Sequence, residues 1–306
     1  MSTTASTPLT TSSLTPSVTK VSANAANTAK TRLTGRGASV AAVILAVLWT
    51  LPTFGLLISS VRPERAAKTT GWWTFFQNPV VTLDNYRTVL ATTGTAGLGK
   101  YVVNSFVIVV PAVVIPICLA LLASYALAWI DFRGRSLLFI AIFALQIVPI
   151  QVTLLPLLTL YIQAGLPPFW RIWLSHSIFA LPLAIFLMHN FMREIPRELI
   201  EAARVDGAGH VKIFISVLLP LLKPAVAAFG IFQFLWVWND LLMALVFVQD
   251  SSKFPMTRAI QNLLSQYGTE WHLLAAGAFL LMVVPLLVFF ALQRFFVQGL
   301  LAGSVK

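Results

Sequence analysis

The chain has 306 residues, of which 58% are hydrophobic and 10% charged, and its mean hydropathy is +0.84. Soluble domains carry about 25% charged residues, so the pair of soluble domains that length alone would allow is excluded. The formal net charge of +11 therefore reads first as topology information, and a lone cysteine, Cys118, in an apolar run excludes an internal disulfide and a cysteine metal cluster.

In chain order, the first element is a tail. Of the first 34 residues 16 are Ser or Thr and none is acidic, a composition that predicts a disordered cytoplasmic extension over 1–38, with a transit peptide as the alternative. Six apolar segments follow within 39–306, at about 39–61, 102–130, 137–162, 172–192, 224–248 and 272–295. About 20 apolar residues cross a bilayer as a helix, and helices are required because an open strand would leave backbone donors unpaired in lipid. The expectation is an all-α polytopic membrane protein with six transmembrane helices. Seven prolines fall in the interior of these segments: Pro52, Pro111, Pro116, Pro149, Pro156, Pro182 and Pro285. They would break soluble helices but are tolerated in membrane ones.

Between the first two segments, Trp72, Trp73, Phe75 and Phe76 read as an interfacial anchor. Gly94 to Tyr101 reproduces a phosphate-cradling loop except that Tyr101 stands where a Ser or Thr would hold magnesium. It is read as a flexible glycine loop. Basic residues of short loops stay in the cytoplasm; with both termini inside, 13 of the 21 Lys and Arg fall on that side. No nucleotide site is left on this chain, so any energy source lies on another.

The densest charge cluster runs from Arg193 to His210, between the fourth and fifth segments. Pro196 suits a first helical position, and Arg197 with Glu201, and Glu201 with Arg204, stand at spacings where helix side chains meet. Leu199, Ile200 and Ala203 form the opposite stripe, and Asp206-Gly207-Ala208-Gly209 supplies a turn into a second helix. Residues 193–223 hold five basic and four acidic groups, so a DNA-binding helix pair would gain little from phosphates. No nucleic-acid partner is expected.

Glu201-Ala202-Ala203, Asp206-Gly207-Ala208, Leu219-Pro220-Leu221 and Pro224 resemble the signature loop of ATP-binding-cassette importer permeases. Asn104-Ser105, Tyr125-Ala126-Leu127-Ala128, Phe132-Arg133-Gly134-Arg135, Trp238-Asn239-Asp240 and the tail from Gln293 to Lys306 are similar to the sugar permeases of the maltose-transporter type. The resemblance runs from about residue 40 to the end. It implies a coupling helix that docks into a cytoplasmic ATPase, with Glu201 pairing to basic groups there, Ala202 and Ala203 allowing close approach, and Asp206 with Gly207 holding the turn. It further implies a second homologous permease, two ATP-binding cassette subunits that carry the ATP and magnesium, an extracytoplasmic sugar-binding protein, and a place in a bacterial inner membrane. No cofactor or metal is expected on this chain, and no catalysis.

Asp240 is the one carboxylate inside an expected span. A bare charge there costs roughly 2.5 to 3.5 kcal/mol on insertion scales, so it should face the bundle interior or water. It lies about 24 Å along the fifth helix from Pro224. Gln233, Trp236 and Asn239 recur with it at helical spacing, and Trp238 completes the motif. Amides, a carboxylate and indole faces are what sugar binding uses. Pairing between helices competes as their role. Gln146, Gln151, His189 and Asn190 are weaker candidates, with interhelical hydrogen bonds as the default, and the spacing of His176 and His272 gives no metal set. An ion-coupled secondary transporter using Asp240 is the rival reading, but the inverted halves it calls for are not visible. Gly71-Trp72-Trp73-Thr74 faintly resembles the alpha-glucoside branch, which points to a di- or oligosaccharide.

Overall fold

A computed structural model describes residues 36–91, 97–266 and 270–302. The tail before Arg36, Gly94 to Ala96 of the phosphate-loop mimic and the last four residues lie outside these, as do the side chains of 294–302. The elements in order are α1 (Arg36–Val61), α2 (Glu64–Thr69), α3 (Asp84–Leu90), α4 (Gly99–Trp129), α5 (Arg135–Ala144), α6 (Ile150–Gln163), α7 (Pro168–Glu194), α8 (Arg197–Val205), α9 (His210–Leu221), α10 (Lys223–Asn239), α11 (Leu242–Phe247), α12 (Met256–Gln266) and α13 (Trp271–Ala302). Among the described residues there is no strand.

Two compact units divide within α1, after Gly55. The first is the early part of that helix, whose Val, Leu, Ile and Trp side chains are exposed on every face, Trp49 at 81%. That is what lipid, in place of water, permits. In the second unit α4 and α7 form the most extensive helix pair; α10 packs on both, and α13 packs on α10. Three apolar clusters succeed one another along α4. Leu98 marks the first with Val89 and Met256; Ile108 and Ala112 sit in the second with Ile172 and Trp238; Ala120 to Leu127 close the third with Met188, Ile200 and Leu222.

Among the described residues four helices are long and apolar enough to cross a bilayer: Gly37–Val61, Gly99–Trp129, Pro168–Glu194 and Trp271–Gln293. The other two expected spans are not straight helices. The third bends by 100° between Arg135–Ile147 and Ile150–Gln163. Pro149 is the reason: it drives Val148 out of the helical region, to ψ 120°, and itself opens α6. The fifth begins at Lys223, 70° off the preceding helix, and stops at Asn239 rather than near residue 248. Asp240 has extended backbone, ψ 125°, and α11 starts afresh beyond it. Asp240 is thus at a break, not on the helix where the apolar run placed it.

The prolines inside α4 and α13 raise a precise problem. Each lacks an N–H, so the carbonyl four residues earlier loses its helical partner. A donor from a neighbouring helix replaces it in three cases. Trp173 Nε1 donates to Val107 O, four before Pro111, at 2.9 Å; Gln233 Nε2 donates to Ala112 O, four before Pro116, at 3.2 Å; and Trp238 Nε1 donates to Leu281 O, four before Pro285, at 2.9 Å. In a medium without water these bonds satisfy groups that solvent would otherwise have to reach.

Candidate functional site

At one end of the bundle α8 carries the motif Glu201-Ala202-Ala203. Pro196 caps it instead of occupying its first turn. Ile200 faces inward, packed with Met192, Ile213 and Leu222, and Ala203 and Ala208 rest on the same cluster. Glu201, Ala202 and Arg204 point outward, and Val205 beside them is 87% exposed. The helix ends in a Schellman turn: the Gly207 N–H bonds to Arg204 O and the Ala208 N–H to Ala203 O, both at 2.9 Å. Gly207 takes φ +77° with nothing near where a Cβ would stand, so the glycine is needed for its backbone alone. Asp206 occupies the C-cap. The expected intrahelical ion pairs are absent: among the described residues no ion pair within 4.0 Å involves 193–223. Arg197, Glu201 and Arg204 are all exposed, and exposed pairs gain little.

The turn is tied back into the bundle. The Tyr125 hydroxyl on α4 lies 2.6 Å from His210 Nδ1, the first residue of α9, and the Tyr125 ring meets Phe214 edge to face. Neither His210 nor its partner stood out by spacing, since they are 85 residues apart. A π-turn over Phe214–Leu218 precedes Pro220, loosening the helix where that proline removes a donor.

The five candidates around Asp240 separate into different roles. Gln233 is 0% exposed, one amide hydrogen on Ala112 O and its Oε1 without a partner. Trp238 is buried, stacked on Phe234, edge-on to Phe106, and bonded to Leu281 O. Both serve as pins at proline breaks. Asp240 Oδ2 accepts the Met243 N–H at 2.8 Å, at the start of α11, and lies 3.9 Å from His176 Nε2 of α7. This satisfies an intramembrane carboxylate by capping a short helix. Asn239 turns back to Leu235 O and lines a cavity against α13 with Leu281 and Pro285.

Trp236 alone of the five reaches the cavity of about 390 Å³ at the broken third span, with Gln146, Thr153, Phe179 and Pro182. So the helical spacing that grouped Gln233, Trp236, Asn239 and Asp240 does not make one face; it distributes them over a pin, a cavity, a second cavity and a cap. The bend at Pro149 carries Gln146 to the cavity that Trp236 lines. The pairing of an aromatic plane with an amide is suited to a sugar ring and its hydroxyls.

The break after Asp240 is braced by residues of other elements. Asn104 Nδ2 donates to Ser252 O and Phe254 O, and Ser105 Oγ accepts the Met256 N–H, which gives Asn104-Ser105 a structural purpose. Arg258 donates to the carbonyls of Ala244, Leu245 and Val248 at the end of α11 and lies over the Phe254 ring. Burial lowers its pKa. No sequence signal marked Arg258.

Far from α8 in sequence, Glu64, Glu270 and His272 bring their ligand atoms within 4.8 Å of one another, a convergence that residue spacing did not show. The Lys68 ammonium lies at 2.6 Å from Glu64 and 2.8 Å from Glu270. It holds the Glu64 carboxyl below its usual range, while the carboxylates, Glu270 first, push the ammonium up.

Two spans broken at Pro149 and Asp240, two continuous ones whose prolines are met by donors from neighbouring helices, an aromatic cavity at one break and an outward-facing helix at one end fit a membrane permease subunit. Residues 116–301 match the family described as binding-protein-dependent transport system inner membrane component. The osmoprotective compounds uptake permease protein GgtD of Synechocystis is 50% identical over 273 residues, covering 87% of this chain and 91% of that protein. The alpha-glucoside transport system permease protein AglG of Rhizobium meliloti is 48% identical over 257 residues, 82% of this chain and 67% of that one. A bacterial ABC transporter for import of the acidic polysaccharide alginate superposes with a TM-score of 0.68 at 21% identity, over 87% of this chain and 97% of that one; at such identity the likeness speaks for the fold. The chain belongs to the binding-protein-dependent transport system inner membrane components, the permease subunits of ABC transporters.

Proposed function

We propose that this chain forms half of the pathway of an ATP-driven importer for a di- or oligosaccharide, an alpha-glucoside first among them, and that α8 is its coupling helix. The reading rests above all on α8: one buried residue, Ile200, anchors it, a Schellman turn fixes its end, and Glu201, Ala202 and Val205 face outward, clear of the apolar clusters of their own chain. A lever needs this combination of a held base and a free tip. The similarity to AglG, whose name specifies alpha-glucosides, supports the substrate class, and the Trp236–Gln146 cavity offers the chemistry for it.

In this mechanism two ATP-binding subunits, carrying ATP and magnesium, close on one another, and α8 moves with the subunit it docks on. The Tyr125–His210 bond passes that movement to α4, and the broken spans open to a sugar-loaded extracytoplasmic binding protein. A second, homologous permease completes the pathway. The orientation puts α8 and both termini in the cytoplasm of a bacterial cell. Uptake of labelled maltose, sucrose and trehalose by proteoliposomes of the assembled complex tests the substrate, and Glu201→Lys tests coupling. Sugar-stimulated ATP hydrolysis at the normal rate in Glu201→Lys would sink the assignment of α8.

A further inference from the structure

A cavity of about 110 Å³ opens at the α8 end of the bundle, where α4, α5, α7 and α8 meet. Three arginines line it, Arg135 from α5, Arg193 from α7 and Arg197 from α8, together with Ser136, Phe139 and His189. Among the described residues only Arg135 of the three has an acidic partner, Asp131 at 2.9 Å, and no carboxylate lines the cavity. His189 is 7% exposed, its ring centroid 4.3 Å from that of Phe139, and its Nδ1 has no hydrogen-bond partner. A buried polar atom left in that condition has given up water without a replacement, which destabilises the fold unless a ligand supplies one.

The bias of basic residues toward one side of a membrane accounts for arginines at this end. It does not account for their convergence on one pocket beside an imidazole whose Nδ1 lacks a hydrogen-bond partner. Arg133 shows the difference, since it stands two residues before Arg135 and does not line the cavity. A water in the liquid occupies about 30 Å³, so the space matches roughly three or four waters, or one tetrahedral oxyanion. Guanidinium forks and a hydroxyl are the groups that hold such oxyanions.

We propose that Arg135, Ser136, His189, Arg193 and Arg197 form a phosphate-binding site that joins the first residue of the coupling helix to the first turn of α5. A bound phosphate neutralises the mutual repulsion of Arg193 and Arg197 and gives His189 Nδ1 a partner, its oxygen accepting from an Nδ1–H or its own hydroxyl donating to an unprotonated Nδ1. Two sources share this chemistry: a phospholipid headgroup, favoured by the exposed Leu137 and Leu138 beside the cavity, and inorganic phosphate of the cytosol. The cytosolic placement rests on the orientation given above; the binding itself does not.

The assembled transporter is reconstituted in nanodiscs of phosphatidylglycerol or of phosphatidylcholine, and retained lipid is counted by native mass spectrometry after transfer to detergent. Labelled inorganic phosphate is measured by equilibrium dialysis in parallel. The double variant Arg193→Gln/Arg197→Gln is expected to lose one retained phosphatidylglycerol or to weaken phosphate binding at least tenfold. Ser136→Ala, which keeps all charges, weakens it less, and Arg133→Gln leaves it unchanged. Loss of lipid that phosphate does not displace assigns the site to a headgroup; phosphate binding that competes with lipid assigns it to the free ion. Equal retention of both ligands by wild type and double variant overturns the proposal, as does an equal loss in Arg133→Gln. Neither readout involves sugar or ATP, so failure here is distinguishable from failure of the permease mechanism.

Discussion

Replacing Trp238 by Phe removes the indole N–H that satisfies Leu281 O while keeping an aromatic ring against Phe234 and Phe106, whose centroids lie at 5.6 and 5.0 Å. Pro285 denies Leu281 O its helical donor, so the carbonyl, part-buried in the present bond, is left unpaired. Hydrogen bonds between membrane helices average about 0.6 kcal/mol and reach about 1.7, and leaving a buried partner unsatisfied costs about 1–3 kcal/mol. Because the helix itself offers this carbonyl no substitute, a loss near the upper membrane value, about 1.5 to 2 kcal/mol, is expected. The decisive measurement is a double-mutant cycle with Pro285→Ala, by denaturation in mixed micelles. Alanine at 285 restores the N–H, so Leu281 O regains a helical bond and Trp238→Phe then costs only its lost ring area. A coupling energy of at least about 1 kcal/mol between the two substitutions is expected. Independent, additive effects would refute the proline-pin account of Trp238, and with it the exclusion of this residue from sugar contact.

Trp236→Ala should behave oppositely, with little change in assembly but a roughly threefold to tenfold rise in the sugar concentration for half-maximal uptake, the worth of one aromatic contact; an unchanged concentration dependence would remove the cavity from the pathway. Gly207→Val forces a β-branched residue to φ +77° and should lose sugar-stimulated ATP hydrolysis, whereas Gly207→Asn, which tolerates the left-handed region, should retain most of it. Equal loss in both would mean that the backbone conformation is not what matters there. The Glu64–Lys68–Glu270 cluster gives a pH signature: the Glu64 carboxyl is depressed below 4.5 in the fold, so its contribution is complete above that value and fades as pH falls through the depressed one. Lys68, raised above 10.5, loses its contribution only as pH climbs through the raised value. Thermal midpoints of Lys68→Met should therefore lack the fall below pH 4.5 that this pairing gives the wild type; identical acid limbs would count against the pairing.

How much of this was open to sequence depends on the range of the interaction concerned. The membrane class, the all-helical character and the position of α8 follow from composition and local pattern, because lipid enforces internal backbone bonding and because Gly207 and Asp206 write their turn within a few residues. The prolines at 111, 116 and 285 were equally visible, and counting back four residues from each finds the carbonyls at 107, 112 and 281 that lack a helical donor. What could not be named from the chain order was the donor, since Trp173, Gln233 and Trp238 stand 66, 121 and 43 residues away. The same limit separates the candidates around Asp240. An apolar run places Gln233, Trp236, Trp238, Asn239 and Asp240 on one continuous helix, yet hydropathy does not register a break when the residues on both sides of it are apolar. That the helix stops at Asn239, that Asp240 caps the next one, and that the bend at Pro149 brings Gln146 into the cavity of Trp236 emerged from the folded arrangement alone. Residue order thus fixes what the bilayer and the local backbone demand. Which polar group answers which demand is settled by packing between helices far apart in the chain, where no local pattern reaches.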